Sequence, residues 1–291
     1  MSRSTERTPS YEELLREAAG ELERAGVPEA SLDAWYILED TFGISRADYL
    51  WKKRESPLSV PGRFYERLAL RAERMPLAYV LGSAWFMGLP FMVGPGVLIP
   101  RQDTETLVEW VLEEGRGSAG LSGRRVLDMC TGSGCIGLSL ARLGGCEVTL
   151  SDLSSEALSV AGKNARALGV EAGIFAGDLF EGLPSRSRYD VIVSNPPYIA
   201  SGVIDGLQRE VREYEPRMAL DGQEDGLYFY RRLAAEAPGW LRAGGRLYLE
   251  IGYDQGAAVQ RLLVSAGFEE VGIRKDLAGL DRVVRGVYRD V

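Results

Sequence analysis

The sequence of 291 residues contains no histidine and only three cysteines. Without histidine the chain cannot assemble a Ser-His-Asp triad or a Cys-His pair, so nucleophilic catalysis of these two types is excluded. The cysteines are Cys130, Cys135 and Cys146, and they show no CxxC spacing. A zinc site made without histidine would need an unusual set of ligands. We therefore predict reduced thiols and no bound metal.

Long apolar segments are also missing from the sequence. No uninterrupted apolar run approaches the ~18 residues that indicate a membrane-spanning helix. The N-terminal residues show no basic segment followed by an apolar one, which a secretory leader would have. These two observations predict a cytoplasmic protein without a membrane partner.

Lysine is scarce as well, since it occurs only at positions 52, 53, 163 and 275. The 34 lysine and arginine residues against 42 aspartate and glutamate residues give a net charge of −8. An acidic chain lacks the positive surface on which sequence-independent binding of nucleic acids depends. A local basic patch stays compatible with this charge, but we expect no direct nucleic-acid binding.

The N-terminal part of the chain shows three amphipathic helical patterns and no strand pattern. The first begins at a capping box formed by Ser10 and Glu13, and the third ends at Pro76. We predict a small helical domain over residues 1–80 that recognises the substrate. Residues 81–102 place aromatic and apolar side chains around a central glycine, which predicts a hairpin that connects two domains.

From residue 103 to residue 291 strand and helix patterns alternate. The strand patterns are seven short segments, RRVLDM, CEVTLSD, AGIFAGD, YDVIVSN, GRLYLEIG, FEEVGIRKD and DRVVRGVYRD. Alternation with helices is typical of a parallel sheet, and the last two strands, which have no helix between them, predict one antiparallel member. We therefore predict an α/β fold, doubly wound around a mostly parallel seven-stranded sheet.

The segment RRVLDMCTGSGCIG places Gly132, Gly134 and Gly137 as G-x-G-x-x-G between a strand and a helix. Alone this pattern is also typical of an ordinary tight turn. Asp152 follows about 20 residues later at the end of the next strand, where an acidic side chain accepts hydrogen bonds from ribose hydroxyls. Together they predict a nucleoside cofactor, either a nicotinamide dinucleotide or S-adenosylmethionine.

Asp128, at the end of the strand before this loop, favours one of these two candidate cofactors over the other. A carboxylate there would repel the pyrophosphate of a dinucleotide, whereas it would attract the ammonium and sulfonium groups of S-adenosylmethionine. The alternative interpretation is that Asp128 only caps the following turn. Asp178 ends the next strand and is a candidate acceptor for the adenine amino group, with Leu179 beside the ring, or else a plain loop aspartate.

The segment SNPPYI follows the fourth strand pattern, so it comes to the same sheet edge as the other strand ends. Pro196 and Pro197 cannot donate hydrogen bonds to a strand ladder or a helix. They fix the backbone so that the Asn195 side-chain oxygen and the Pro196 carbonyl point the same way, and these two acceptors match one planar –NH₂ group. Tyr198 offers a ring face to that group. We predict a rigid cradle for an amide or amino nitrogen.

These motifs resemble those of the class I methyltransferases that carry an (Asn/Asp/Ser)-Pro-Pro-(Tyr/Phe/Trp) motif. Among them the chain resembles the HemK/PrmC family of release factor N5-glutamine methyltransferases. The resemblance covers nearly the whole chain and is most specific in PLAYVLGSAWFMGLPFMVGPGVLIPRQDTETLVE and YEPRMALDGQEDGLYFYR. It implies a Rossmann-like class I methyltransferase fold with a small N-terminal helical domain, S-adenosylmethionine as cofactor, and class I peptide chain release factors as protein substrate.

The resemblance also implies roles for individual residues. It assigns cofactor binding to a loop formed by Cys130, Thr131, Gly132, Ser133 and Gly134, to Asp152 as the acid that binds the ribose, and to Asp178 and Leu179 as neighbours of the adenine. Asp128 and Asn195 complete the residues assigned to the cofactor. It assigns catalysis to Asn195, Pro196 and Tyr198, which with Pro197 form the substrate cradle. Two residues depart from the family, because Cys130 stands where a small residue such as glycine is usual and Leu179 where tryptophan is frequent.

The hypothesis that follows is methyl transfer from S-adenosylmethionine to the side-chain amide N5 of the glutamine in the Gly-Gly-Gln motif of release factors. Hydrogen bonds from the amide to Asn195 and Pro196 would strengthen as positive charge grows on nitrogen. One alternative is a nucleic-acid N6-adenine methyltransferase, whose flipped-out base would fit the same cradle. Others are a ribosomal-protein glutamine methyltransferase and a non-enzymatic binding module, which would need no cradle.

Overall fold

The computed structural model describes residues 7–115, 120–185 and 187–289. The chain divides into two compact units. Unit 1 comprises Met1–Gly82 and Arg209–Tyr214, and unit 2 comprises Ser83–Gln208 and Glu215–Val291. The sequence pattern assigns residues 209–214 to the predicted 103–291 domain, because chain order is the only cue that a sequence offers for such a short helix.

Helices and strands follow one another along the described chain. The helices are α1 (Tyr11–Arg24), α2 (Ala30–Phe42), α3 (Arg46–Lys52), α4 (Gly62–Ala72), α5 (Leu77–Leu81), α6 (Glu105–Gly115), α7 (Cys135–Gly144), α8 (Ser155–Leu168), α9 (Arg209–Tyr214), α10 (Tyr228–Glu236) and α11 (Gly256–Ser265). The strands are β1 (Ser83–Phe86), β2 (Leu89–Met92), β3 (Arg125–Met129), β4 (Glu147–Asp152), β5 (Ala172–Ala176), β6 (Tyr189–Ser194), β7 (Leu241–Glu250), β8 (Phe268–Lys275) and β9 (Asp281–Tyr288). Among the described helices, none is long and apolar enough to cross a membrane.

Unit 1 is helical. Helix α1 begins at the predicted capping box, in which the Glu13 amide donates to Ser10 Oγ at 3.3 Å and the Ser10 amide donates to Glu13 Oε2 at 2.8 Å. Its apolar side chains recur every fourth residue and therefore share one buried face. They meet side chains of α2 and α4 in a core that includes Leu14, Leu22, Ile37, Leu38 and Phe64.

Helix α9 belongs to unit 1 through a cluster of charged side chains. Glu210 accepts hydrogen bonds from Nε and Nη2 of Arg74 at 2.7 Å and 2.9 Å, and from Nη2 of Arg71 at 3.3 Å. Arg71 is only 5% exposed and also donates from Nε to Asp33 at 2.7 Å. A buried arginine needs anionic partners, so Glu210 is fixed where two arginines converge.

Strands β1 and β2 form the predicted hairpin, with antiparallel pairing. Its turn residues Met87 and Gly88 have φ of 51° and 71°, as a type I′ turn requires. Phe86 and Phe91, which are 1% and 0% exposed, lie in the main core of unit 2. The hairpin is thus part of unit 2, and its buried rings explain why the segment is so apolar.

Unit 2 is built on a seven-stranded sheet of order β5-β4-β3-β6-β7-β9-β8. The first five of these strands are parallel, and β9 pairs antiparallel with both β7 and β8. Side chains of α6, α7 and α8 pack on one face, and those of α10 and α11 pack on the other. This confirms the predicted fold class. The strand order reverses beside β3, and ligands of doubly wound sheets bind at such a switch point.

We expect Glu210→Gln to loosen α9 on unit 1. The neutral amide cannot match two guanidinium charges, and losing hydrogen bonds to charged groups costs about 1.5–3 kcal/mol. Hydrogen exchange of the α9 amides should become roughly 10- to 100-fold faster. The matched control is Glu213→Gln on the same helix, because the Glu213 side chain is 38% exposed and its pairs are at the surface. Equal acceleration in both variants would show that the charged cluster does not hold α9.

Candidate active site

A deep pocket of unit 2 opens where β3, β4 and β6 end. It holds about 960 Å³ of empty space, part of it open to solvent. Most of the predicted site residues line it, namely Cys130, Thr131, Gly132, Ser133, Asp152, Asp178, Leu179, Asn195 and Pro197. Four others, Asp128, Gly134, Pro196 and Tyr198, do not line its surface.

Asp152 joins the glycine loop to the end of β4. Its Oδ2 accepts from the Gly132 amide at 2.8 Å, and its Oδ1 accepts from the Ser154 amide at 2.9 Å. Burial raises the pKa of this carboxyl above its ordinary value. A carboxylate has about four acceptor positions, so the two that remain are available to a ligand in the pocket that Asp152 lines.

Asp128 lies beneath the loop and not on the pocket surface. It is 0% exposed, and its Oδ2 accepts from Thr131 Oγ1 at 2.6 Å and from the Gly137 amide at 2.9 Å. Its Oδ1 is buried without a hydrogen-bond partner in the described parts of the chain. Burial raises the pKa of Asp128 to about 7. This geometry matches the interpretation in which Asp128 caps the loop.

Asp178 has an arginine partner that the sequence interpretation did not identify. Nη1 of Arg232, on α10, donates to Oδ1 and Oδ2 of Asp178 at 2.7 Å and 2.8 Å. The pair orients the carboxylate at the pocket wall. Leu179 beside it is 3% exposed and has a φ of 51°. Arg232 follows directly on the YEPRMALDGQEDGLYFYR block of the resemblance, which was the only signal available for it.

The backbone of Cys130 explains why glycine is usual at this position in the family that the chain resembles. Its φ is 59°, in the left-handed region that glycine adopts without steric cost. Burial raises the pKa of the Cys130 thiol, and it raises that of Cys135 to about 12. Both thiols that line the pocket are therefore neutral near pH 7 and are poor nucleophiles.

The Asn-Pro-Pro-Tyr segment leaves β6 with two unpaired acceptors. Within the described ranges, no group forms a hydrogen bond with the Asn195 side chain or with the Pro196 carbonyl. The start of this segment is fixed because Ser194 Oγ donates to the Met129 carbonyl of β3 at 2.7 Å. Burial raises the pKa of the Tyr198 phenol, which is therefore neutral.

Two walls of the pocket were not predicted. One is the stretch after the hairpin, with Gly96, Val97, Leu98, Pro100, Arg101 and Thr104, and the other is Pro216, Met218, Ala219 and Phe229. Arg101 forms an ion pair with Glu215, whose Oε2 also accepts from the Ile99 amide at 3.3 Å. Both walls fall in the two most specific blocks of the resemblance, which is the signal that could have identified them.

Sheet order, glycine loop, acidic strand ends and the Asn-Pro-Pro-Tyr segment at the switch point together define a class I S-adenosylmethionine-dependent methyltransferase. Residues 103–210 match the Methyltransferase small domain family, and residues 13–82 match the PrmC N-terminal domain. A solved T. thermophilus 16S rRNA N2 G1207 methyltransferase, in complex with AdoMet and guanosine, is similar with a TM-score of 0.53. It is 24% identical and the match covers 71% of this chain and 50% of that chain, which shows the fold.

Curated relatives identify the family. A release factor glutamine methyltransferase of Geobacter sulfurreducens is 42% identical over 92% of this chain and 93% of its own length. One of Bordetella pertussis is 45% identical over 90% of this chain and 95% of its own length. The chain belongs to the release factor glutamine methyltransferase family. The predicted family and the predicted enzyme class are thereby confirmed.

The raised pKa of Asp128 predicts a pH dependence of stability. In the unfolded chain an aspartate titrates near ~3.9, so above pH 6 only the folded chain binds this proton and stability falls as pH rises through about 7. Asp128→Asn removes this titration and keeps an oxygen for Thr131 and Gly137.

We expect the free energy of unfolding of wild type to fall by about 1.4 kcal/mol more than that of Asp128→Asn between pH 6 and pH 8. Urea unfolding of both proteins at the two pH values measures this difference. Other groups that titrate in this range are present in both proteins, so they cancel. Parallel pH profiles would show that Asp128 is already ionised in the folded state.

Proposed function

We propose that this chain transfers a methyl group from S-adenosylmethionine to the side-chain amide N5 of the glutamine in the Gly-Gly-Gln motif of class I peptide chain release factors. The family supports a release factor as the protein substrate. The observation on which the proposal depends most is the pair of unpaired acceptors, the Asn195 amide oxygen and the Pro196 carbonyl, on a backbone fixed by two prolines.

These acceptors suit an amide nitrogen. Its lone pair is delocalised into the neighbouring carbonyl, so it is a weak nucleophile. Two N–H groups donating to Asn195 and Pro196 would hold the nitrogen in one orientation. The same hydrogen bonds would strengthen as positive charge develops on the nitrogen, so they favour the transition state over the bound substrate. Tyr198, neutral and beside the cradle, offers its ring to the planar amide.

The pocket also suits the proposed cofactor. Asp152 places a carboxylate on its wall, whereas the lining Asp178 and Arg101 are paired with Arg232 and Glu215. Such a lining favours a cationic ligand over one that carries a pyrophosphate. S-adenosylmethionine, when bound, supplies an electrophilic methyl group on a sulfonium. We propose that Asp152 accepts the ribose hydroxyls, that Asp178 and Leu179 flank the adenine, and that Asp128 acts indirectly by holding the loop.

The site needs no general base in this proposal. An amide nitrogen that has gained a methyl group is strongly acidic while it still holds both protons, so one proton passes to water. The neutral thiols of Cys130 and Cys135 and the buried carboxyl of Asp128 take no part in that transfer. The lone pair and the incoming methyl carbon have only to be aligned, which is the task of the cradle.

Unit 1 is proposed to recognise the protein substrate. Apolar side chains are exposed on it, with Trp51 85%, Leu50 70% and Tyr65 51% accessible. Aromatic side chains such as Trp51 and Tyr65 are enriched in protein-binding surfaces. The net charge of −8 supports a protein partner over a nucleic acid, which would meet repulsion from most of the surface.

The test is mass spectrometry of a class I release factor after incubation with this chain and S-adenosylmethionine. We expect one methyl group on the glutamine of the Gly-Gly-Gln motif, and none when that glutamine is replaced by glutamate. A ribosomal-protein fraction and an adenine-containing oligonucleotide serve as competing acceptors. Methyl transfer to either of them, with an unmodified release factor, would contradict the proposed substrate.

Asn195→Ala should lower kcat about 100-fold or more, the scale found for single preorganised hydrogen-bond groups. Asn195→Asp should retain more activity, because it keeps an acceptor oxygen. S-adenosylmethionine affinity should change less than ~3-fold, and stability by less than ~0.5 kcal/mol, because the side chain has no partner in the described protein.

Asn164→Ala is the contrasting control for a structural asparagine. The Asn164 side chain is 1% exposed and bonds the Met92 amide and carbonyl and the Ser133 carbonyl at 2.7–3.0 Å. It should lose about 1–3 kcal/mol of stability. Full activity of Asn195→Ala, or a stability loss as large as that of Asn164→Ala, would refute the cradle.

A further inference from the structure

The side-chain amide of Gln255 joins separate segments of unit 2. Its Nε2 donates to the Tyr198 carbonyl at 3.0 Å and to the Gly226 carbonyl at 3.2 Å. Its Oε1 accepts from the Gly252 amide at 2.9 Å. The Tyr230 hydroxyl lies 3.4 Å from this Oε1, but it donates its one proton to the Glu250 carbonyl at 2.9 Å. Both N–H donors of the Gln255 amide are therefore used within the protein.

The carbonyl that Gln255 holds is the first one after the proline pair. The segment that precedes helix α10 lies directly against this carbonyl. A Cβ on Gly222 would be 2.7 Å from Tyr198 Cα, and one on Gly226 would be 2.4 Å from the Tyr198 oxygen. Real Cβ atoms do not approach so closely, so both positions require glycine. The Tyr198 backbone is therefore enclosed by two glycines and closed off by the Gln255 amide.

Backbone pairing continues this contact beyond Tyr198. The Ile199 amide donates to the Leu220 carbonyl at 3.0 Å, and the Gly222 amide donates to the Ile199 carbonyl at 2.8 Å. These bonds hold Ile199, but they leave the Tyr198 carbonyl to Gln255. The entry of the same segment is fixed at Ser194 by its bond to β3. The cradle thus lies between one anchor at its entry and one at its exit.

We infer that Gln255 is a positioning residue for methyl transfer. By fixing the peptide after Tyr198 it keeps the Asn195 and Pro196 acceptors convergent and the Tyr198 ring in place. Both N–H donors of its amide are bonded to backbone carbonyls, so in this proposal it acts through the cradle. The inference rests on the proposed role of the Asn-Pro-Pro-Tyr segment.

The test begins with Gln255→Glu, which keeps the size of the side chain. A carboxylate cannot donate to the carbonyls of Tyr198 and Gly226, and its charge repels both oxygens. At pH 8 we expect kcat to fall at least ~10-fold, the scale of one lost hydrogen bond to a preorganised group. The S-adenosylmethionine Kd and the KM for the acceptor should stay within ~3-fold of wild type. Gln255→Met, which is neutral and also lacks the donors, should lose kcat similarly at all pH values.

The pH profile tests whether the loss of kcat follows the loss of the hydrogen-bond donor. Burial beside two carbonyl oxygens raises the pKa of a glutamic acid, and the protonated form again donates one hydrogen bond. The kcat of Gln255→Glu relative to wild type should therefore rise as the pH is lowered from 8 to 6. Gln255→Met should show no such recovery. Hydrogen exchange of the Ile199 amide, which needs no activity, should be faster in both variants.

The matched control is Gln260→Glu on α11, the helix whose N-cap residue is Gln255. Gln260 Nε2 donates to one backbone carbonyl, that of Val271, at 3.3 Å and away from the pocket. This variant should have normal kcat and normal exchange at Ile199. Equal loss of kcat in Gln255→Glu and Gln260→Glu, or unchanged kcat and exchange in the folded Gln255 variants, would overturn the inference.

Parallel assays separate failure of this inference from failure of the proposed function. An impaired Asn195→Ala variant with a normal Gln255→Glu variant would overturn the role of Gln255 alone. A fully active Asn195→Ala variant would remove the cradle itself. If wild type left release factors unmodified, the exchange measurement at Ile199 would still decide whether Gln255 anchors the segment.

Discussion

The way in which the backbone leaves strand β6 constrains the rest of the site. Two consecutive prolines cannot donate hydrogen bonds, so the polar groups around them must find partners from other elements or stay open to a ligand. Ser194 is bonded to β3, Ile199 to the segment around Leu220, and the Tyr198 carbonyl to Gln255. These neighbours are satisfied, whereas the acceptors of Asn195 and Pro196 have no hydrogen-bond partner in the described chain.

Much of the fold and several residues that line the pocket could be predicted from the sequence for a simple geometric reason. Strand periodicity and glycine spacing are local signals, and the ends of parallel strands meet at one sheet edge. Asp152, Asp178 and Asn195 could therefore be assigned to one pocket from their places after three strands. Cys130 and Leu179 departed from the family pattern, and both have positive φ, which no local pattern in this sequence indicated.

Contacts between residues far apart in the chain could not be predicted. Arg232 is 54 positions from Asp178, Gln255 is 57 positions from Tyr198, and Glu210 is 136 positions from Arg74. A charged or amide side chain on a helix is ordinarily solvated, so its local sequence does not reveal such a partner. The orientation of Asp128 is a similar case, because a strand-end acid can face a pocket or turn back to the loop, and only the packed structure selects one.

Charge balance explains why a neutral cradle suits the proposed reaction. A methyl group that moves from a sulfonium to a neutral amide carries one positive charge with it, so the total charge of the reacting groups does not change. A distant carboxylate would stabilise the start and the transition state almost equally, and uniform stabilisation does not increase kcat. Only acceptors in contact with the nitrogen interact more strongly with the transition state than with the bound substrate, because the positive charge moves onto that nitrogen. In the proposed cradle the Asn195 and Pro196 oxygens would meet this requirement as neutral dipoles, whereas the buried Asp128, with its raised pKa, bonds to groups of the loop.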